Sequence, residues 1–124
     1  MEIYKTRVFA KWADKEGLDD RTLTVAVAEM EQGLIDADLG GHVMKKRVAL
    51  PGRGKSGGAR TLLAYCHDDR AFFVYGFAKN ERDNIDDKEL KALKQLAAAL
   101  LKLNPAQLDS ARMDNKLIEV HNDD

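Results

Sequence analysis

Apolar and polar positions along the chain change period several times, and each change marks an element. Ile3 to Ala10 is rich in β-branched and aromatic types and predicts a first strand. Lys11 to Glu16 predicts a short helix that Gly17 can end in the left-handed region. Asp19 or Asp20 can cap the next helix, whose Leu23, Val27 and Met30 fall on one face with Val25, Glu29 and Glu31 off it. Gly33 ends that helix, and Asp36 to Gly41 is a turn-rich connector. From Val43 the period becomes two: Met44, Lys46, Val48 and Leu50 share one strand face, and Lys45, Arg47 and Ala49 share the other. A glycine-rich loop follows. Ala59 to His67 and Ala71 to Phe77 are then nearly all-apolar strands joined by a tight turn at His67 to Arg70, which suggests central strands covered on both faces.

After the polar segment Ala78 to Ile85, Asp86 and Glu89 form a capping box. Leu90, Leu93, Leu96 (or Ala97) and Leu100 continue as one face of an amphipathic helix. Asn104-Pro105 opens another helix, expected to end near Met113, and Lys116 to Val120 is a last strand before a frayed end at His121 to Asp124. The order β-α-α-β-β-β-α-α-β predicts an α+β domain around an antiparallel meander. One domain over residues 1–124 is expected, with no repeat or linker to divide it.

Composition adds constraints. The 44% apolar and 33% charged fractions are those of a globular domain, and no apolar run approaches the roughly 20 residues of a membrane span. Met1 to Arg7 lacks the apolar core of a signal peptide, so a cytoplasmic location is expected, with no membrane partner. The single cysteine, Cys66, forms no internal disulfide and is expected in the core; Trp12, the only tryptophan, is expected there too. His42, His67 and His121 are far apart and no Cys/His pair has zinc-ligand spacing, so no metal or other cofactor is expected.

Charge changes the picture more. The chain has 20 basic and 21 acidic residues, yet His42 to His67 holds six Lys/Arg and no Asp or Glu. Such focused positive charge on a near-neutral chain suggests a polyanion met at one place. Gly54-Lys55-Ser56 invites comparison with a phosphate-binding P-loop. The first glycine of that motif would fall at Ala49, and a strand, not a helix, follows the loop; both argue against the nucleotide reading. The plainer alternative is a hairpin loop whose Arg53 and Lys55 are simply solvated. Against it, Arg60 opens an apolar strand, where an unpaired cation is costly. In an antiparallel meander the end of strand 71–77 also lies beside the start of strand 59–67. Arg60, Lys79 and Arg82 should therefore cluster with Arg53 and Lys55 at one end of the sheet.

Two motifs in this order, Gly54-Lys-Ser-Gly-Gly-Ala-Arg60 and Phe77-Ala-Lys-Asn-Glu-Arg82, resemble the HigB-like branch of the RelE/ParE toxins, the toxin halves of bacterial type II toxin–antitoxin modules. The resemblance covers about residues 5–103, leaving 104–120 as a C-terminal helix and edge strand. It implies a RelE-like fold: a small twisted antiparallel sheet with two N-terminal helices on one face. It also implies a metal-independent endoribonuclease that cuts mRNA in the ribosomal A site by attack of a ribose 2′-OH on the adjacent phosphate, and a cognate antitoxin that masks the site with an acidic segment. The chemistry needs a base, an acid, and cations for the phosphorane. A lysine serves as base only if neighbouring cations or desolvation lower its pKa.

By residue, the resemblance implies Arg60 as phosphate clamp, Arg53 and Lys55 in base or electrostatic roles, and Lys79, Asn80 and Arg82 from the segment after the last meander strand. Lys45, Lys46, Arg47 and Tyr75 are candidates for binding RNA. The chain departs from RelE at Asn80, where RelE has an arginine, and near Asp86, where RelE has a base-stacking tyrosine. Tyr75 or Tyr65 could take that place only from the correct strand face. Alternative functions are a gyrase poison of the ParE kind, or an inactive nucleic-acid- or partner-binding domain.

Overall fold

The computed structural model describes residues 1–52, 54–82 and 84–121, with the backbone alone at 54–57. The elements in chain order are β1 (Glu2–Thr6), α1 (Arg7–Glu16), α2 (Asp20–Glu31), β2 (Ala37–Asp38), β3 (Val43–Leu50), β4 (Gly54–Cys66), β5 (Arg70–Ala78), α3 (Asp87–Leu101), α4 (Pro105–Met113) and β6 (Leu117–Glu119). They form an α+β fold with one six-stranded sheet in the order β2-β3-β4-β5-β1-β6. The meander β3-β4-β5 is antiparallel as expected, but the sheet is mixed, because β1 runs parallel to β5 from Glu2↔Arg70 to Lys5↔Phe73. Helices α1 and α2 intervene between β1 and the meander, so β1 need not enter by a hairpin and its direction is free.

The first strand ends earlier than its composition suggests. Thr6 takes an extended conformation and its Oγ1 accepts from the Phe9 N–H at 3.2 Å, which starts α1 at Arg7 and not at Lys11. Phe9 and Ala13, one turn apart, are both fully buried, so burial on a helical face overrides the β preference of Val8 and Phe9. Gly17 ends α1 at φ 77°, and Asp19 caps α2 by accepting from the Thr22 N–H at 2.9 Å. The connector after α2 holds a strand that the pattern does not reveal: β2 pairs Ala37↔Lys45 and Asp38↔Met44 at the sheet edge.

The sheet has a core on each face. One face carries Phe9, Leu23, Val27 and Met30 of α1 and α2 against Val48, Leu50, Leu63 and Phe73. The other carries Ala97, Leu100 and Leu108 of α3 and α4 against Tyr4, Val43, Leu62, Phe72 and Phe77. Phe9, Phe72 and Phe73 are wholly buried, and each contributes roughly 1.5–3 kcal/mol by removal from water. Cys66 is half-buried at the end of β4, not a core residue. Trp12 is partly buried against the first core, its ring over Gly76.

The glycine-rich run is not a loop. It lies in β4, which starts at Gly54, and the hairpin turn is shorter, with Gly52 at φ 77°. Register against β3 jumps from Val48↔Ala59 to Leu50↔Gly54, so residues 55–58 have no partner on β3. Glycines suit such an irregular stretch because no Cβ limits the backbone. Arg53, Asp83 and the tail 122–124 lie outside the described residues.

Candidate nucleic-acid interface and cation site

Strand register sorts the basic residues onto two faces. Arg47↔Arg60 and Lys45↔Leu62 pair across β3 and β4, while Arg60↔Phe77 and Leu62↔Tyr75 pair across β4 and β5. Cross-strand partners share a face. Lys45, Arg47, Arg60, Tyr75 and Phe77 therefore stand on the α3 side of the sheet. Lys46↔Thr61 and Thr61↔Gly76 stand on the α1–α2 side.

This corrects the expectation for Lys46. It is 5% exposed, with Nζ 3.0 Å from Glu29 Oε1 and donating to the Leu34 carbonyl at 2.8 Å. Its charge is spent beneath α2 and is not offered to RNA. Tyr65 is likewise on the α1–α2 side, buried, with its hydroxyl donating to Glu31. Of the two tyrosines considered, only Tyr75 faces the basic side.

Arg60 is the centre of that side. It is 8% exposed, and its Nη1 is buried without a hydrogen-bond partner among the described residues. Leaving a charged donor unmet inside a protein is costly. An anion arriving there would relieve that cost. Arg47 is exposed; its Nε lies 3.7 Å from Asp36, whose other oxygen accepts from the Arg47 backbone N–H at 2.7 Å.

The second half of the arrangement is the turn after β5. The Lys79 N–H donates to the Gly58 carbonyl at 3.1 Å, and Glu81 and Arg82 donate back to the Ala78 carbonyl. Lys79 and Asn80 are thereby fixed at an exposed rim beside β4, two residues along that strand from Arg60. Lys55 belongs to the same strand; Arg53 is not described.

Arg82 behaves differently from the others. Its Nη2 and Nη1 donate to both Glu89 oxygens at 2.7 and 3.0 Å, and its Nε donates to the Asn84 carbonyl at 2.8 Å. Nη1 also lies 3.4 Å from the Tyr75 hydroxyl, and the guanidinium sits 5.6 Å from the Phe77 ring centroid. Glu89 is at the same time the third residue of the α3 capping box, accepting from the Asp86 N–H at 3.0 Å. The Arg82 bond, then the Asp86 N–H, hold the Glu89 carboxyl below the usual carboxylate range. The capping box is visible in the sequence; that its glutamate would also take Arg82 is not, because the two residues meet only through the fold.

A different grouping lies on the opposite face. Glu31, His67 and Asp68 bring one ligand atom each within 4.8 Å of one another. The Glu31 oxygens already accept from the Tyr65 hydroxyl and the Asp68 N–H, and His67 Nδ1 is 2.8 Å away. Burial pushes the Glu31 carboxyl up, but these partners outweigh it and the net shift is downward. The grouping ties the end of α2 to the β4–β5 turn.

The chain is a small α+β protein with a basic sheet face that holds one buried arginine and is bordered by an exposed Lys-Asn turn. Over residues 1–120 the chain matches the family model of the RelE toxin of the RelE/RelB toxin–antitoxin system, and it belongs to that family. It is thus a toxin of the toxin–antitoxin type, and an antitoxin is its implied partner. A search of curated proteins finds no match. Among the described residues no helix is long and apolar enough to cross a membrane.

Proposed function

We propose that this toxin is an endoribonuclease of the HigB-like branch, acting on mRNA in the ribosomal A site, in the cytoplasm, as one domain. The observation that carries the reading is Arg60: a buried arginine with an unmet Nη1 donor, on a face shared with Lys45, Arg47 and Tyr75 and beside the Lys79-Asn80 turn. In the reaction the ribose 2′ oxygen attacks the adjacent phosphorus as the P–O5′ bond breaks. The 2′ proton passes to a base, the 5′ oxygen takes a proton from an acid, and a cyclic phosphate and a 5′-OH result. Arg60 suits the extra negative charge of the phosphorane, a role in which preorganised cations are effective. Lys79 and Asn80 supply donors at the rim, and Lys55 and Arg53 are the further candidates for base or electrostatic work. Lys45, Arg47 and Tyr75 suit the approach of the RNA backbone and a base. Arg82 suits a holding role, since Glu89, Asn84 and Tyr75 occupy its donors. The antitoxin masks the basic face with an acidic segment.

A second reading, a nucleic-acid-binding toxin that does not cut, draws on the same Arg82–Glu89 pair, because it removes one cation from the reacting surface. Expression of the chain alone in bacteria, beside Arg60→Ala, with growth scored and message 5′ ends mapped, separates the two. Growth arrest with codon-phased cuts that Arg60→Ala abolishes is expected. Arrest without cuts, or with DNA breaks, rejects the endoribonuclease.

A further inference from the structure

Beyond the basic face lies a cleft of about 220 Å³ at the rim of the sheet, where α1 passes β5. Strand β1 pairs with β5 only as far as Lys5↔Phe73, so Tyr75 to Phe77 have no strand neighbour on that side. The cleft is bounded by Val8 and Trp12 of α1, Tyr75 and Gly76 of β5, and Glu81 and Arg82 of the turn. Its walls are largely apolar and aromatic. Val8 is 68% exposed there. Trp12 Nε1 is buried without a hydrogen-bond partner among the described residues. Glu81 is exposed and makes no side-chain hydrogen bond or ion pair among the described residues, although Arg82 is its neighbour in the chain. Arg82 cannot neutralise it, being taken by Glu89.

We infer that this cleft is a nucleobase subsite selective for guanine. The inference rests on the endoribonuclease reading for the identity of the polymer as RNA, but the site itself is defined by its own chemistry. Single-stranded RNA is read by bases splayed onto aromatic side chains and hydrogen-bonded on their Watson–Crick edges. Trp12 and Tyr75 provide rings. The Trp12 ring lies directly over Gly76, where a Cβ would come 2.3 Å from it, so the indole lines the cleft in place of a side chain from that position. Glu81 is acceptor-only, and guanine is the base whose Watson–Crick edge presents two adjacent donors, N1–H and N2–H, to one carboxylate. Lys79, exposed on the same turn two residues before Glu81, can meet a phosphate next to the base while the Glu81 carboxylate meets the base edge.

The single tryptophan makes the test direct, because Trp12 emission reports on the cleft itself. The whole chain is titrated with GMP, AMP, CMP and UMP, in wild type, Glu81→Gln and Tyr75→Ala. GMP is expected to quench Trp12 and to bind about tenfold more tightly than the other three, the discrimination of one bidentate base contact. Glu81→Gln, at an exposed position, is expected to erase that preference while leaving residual binding. Tyr75→Ala is expected to weaken all four about tenfold by loss of stacking. Equal quenching by all four nucleotides, no response to GMP at millimolar concentration, or an undiminished guanine preference in Glu81→Gln overturns the inference. Guanine selectivity without message cleavage in cells would reject the endoribonuclease and leave the subsite standing. Cleavage without a GMP response would do the reverse.

Discussion

Arg82 and Glu89 meet in a bidentate ion pair, with nitrogen–oxygen distances of 3.0 and 2.7 Å, and that pair joins the turn carrying Lys79 and Asn80 to the first turn of α3. It divides two roles for Arg82. If Arg82 clamps a phosphate, removing the Glu89 charge frees it and cleavage rises. If Arg82 holds the turn in place, Glu89→Gln lowers cleavage much as Arg82→Gln does. The holding role is the expected one, with the double variant no worse than either single, since both break one interaction. Message cleavage measured for the three variants, beside circular dichroism to confirm folding, checks this. The pair is insensitive to pH near neutrality. The Glu89 carboxyl is held below its ordinary value, so the contribution is present above the ordinary carboxylate pKa of about 4 and is lost only as pH falls through the lowered value.

Three consecutive basic residues divide by strand face. Lys46→Met removes the donor to the Leu34 carbonyl and the cation beside Glu29, and a cost of about 1–3 kcal/mol is expected in urea unfolding. Its effect on RNA affinity should be negligible once folding is accounted for. Lys45→Ala and Arg47→Ala should do the opposite, leaving stability nearly unchanged. Each should lower the slope of log affinity against log salt by about 0.7 if it meets one phosphate. A salt slope altered by Lys46→Met would return that residue to the RNA surface.

Much of this arrangement is legible from the sequence where it depends on local chemistry. The buried face of α2 at Leu23, Val27 and Met30, the cap at Asp86, an α2 cap at Asp19 or Asp20, and the two faces of β3 all follow from spacing and side-chain type. The alternation of Lys45, Lys46 and Arg47 is visible as well. Which of those faces the N-terminal helices cover is not, because it depends on how α2 packs back onto β3. Strand β2 is two residues long, too short for a period. The start of α1 is hidden by Val8 and Phe9, whose strand preference yields to the cap at Thr6 and the burial of Phe9 and Ala13. The direction of β1 follows from a crossover through two helices, which leaves no local signal. The convergence of Arg60 with the Lys79-Asn80 turn was inferable from meander geometry, but the capture of Arg82 by Glu89 required the position of α3.

Gly76 is required by a contact, not by its backbone angle. A Cβ at that position would stand 2.3 Å from Trp12 Cζ3 and 2.5 Å from Cε3, distances that only a shift of the ring or strand can relieve. Gly76→Ala should therefore destabilise by about 1–3 kcal/mol, the range for overpacking a filled site. The displaced indole should also show altered emission in the folded state, and since Trp12 is the only tryptophan the change is assignable. Native stability with unchanged emission would mean that the ring moves freely over β5.

Two tyrosines make the fold sensitive to alkali. Burial, then the hydrogen bond to Glu2 at 2.6 Å and its charge, push the Tyr4 hydroxyl up to about 12. Burial and the bond to Glu31 raise Tyr65 further in the same direction. A group whose pKa is raised by folding contributes stability that is fully present below its unfolded value, about 10 for tyrosine, and is lost as pH rises through the folded value. The chain should therefore be stable at neutral pH and lose stability from about pH 10 upward. Tyrosinate absorbance from Tyr4 and Tyr65 should grow together with loss of the far-ultraviolet circular dichroism, not ahead of it. Tyr4→Phe removes one ionisation from the unfolded chain and should move the alkaline midpoint upward. Ionisation of both phenols in a chain that remains folded would show that the Glu2 and Glu31 bonds are open in solution, and would remove the tie between α2 and the β4–β5 turn that Tyr65, Glu31 and His67 make here.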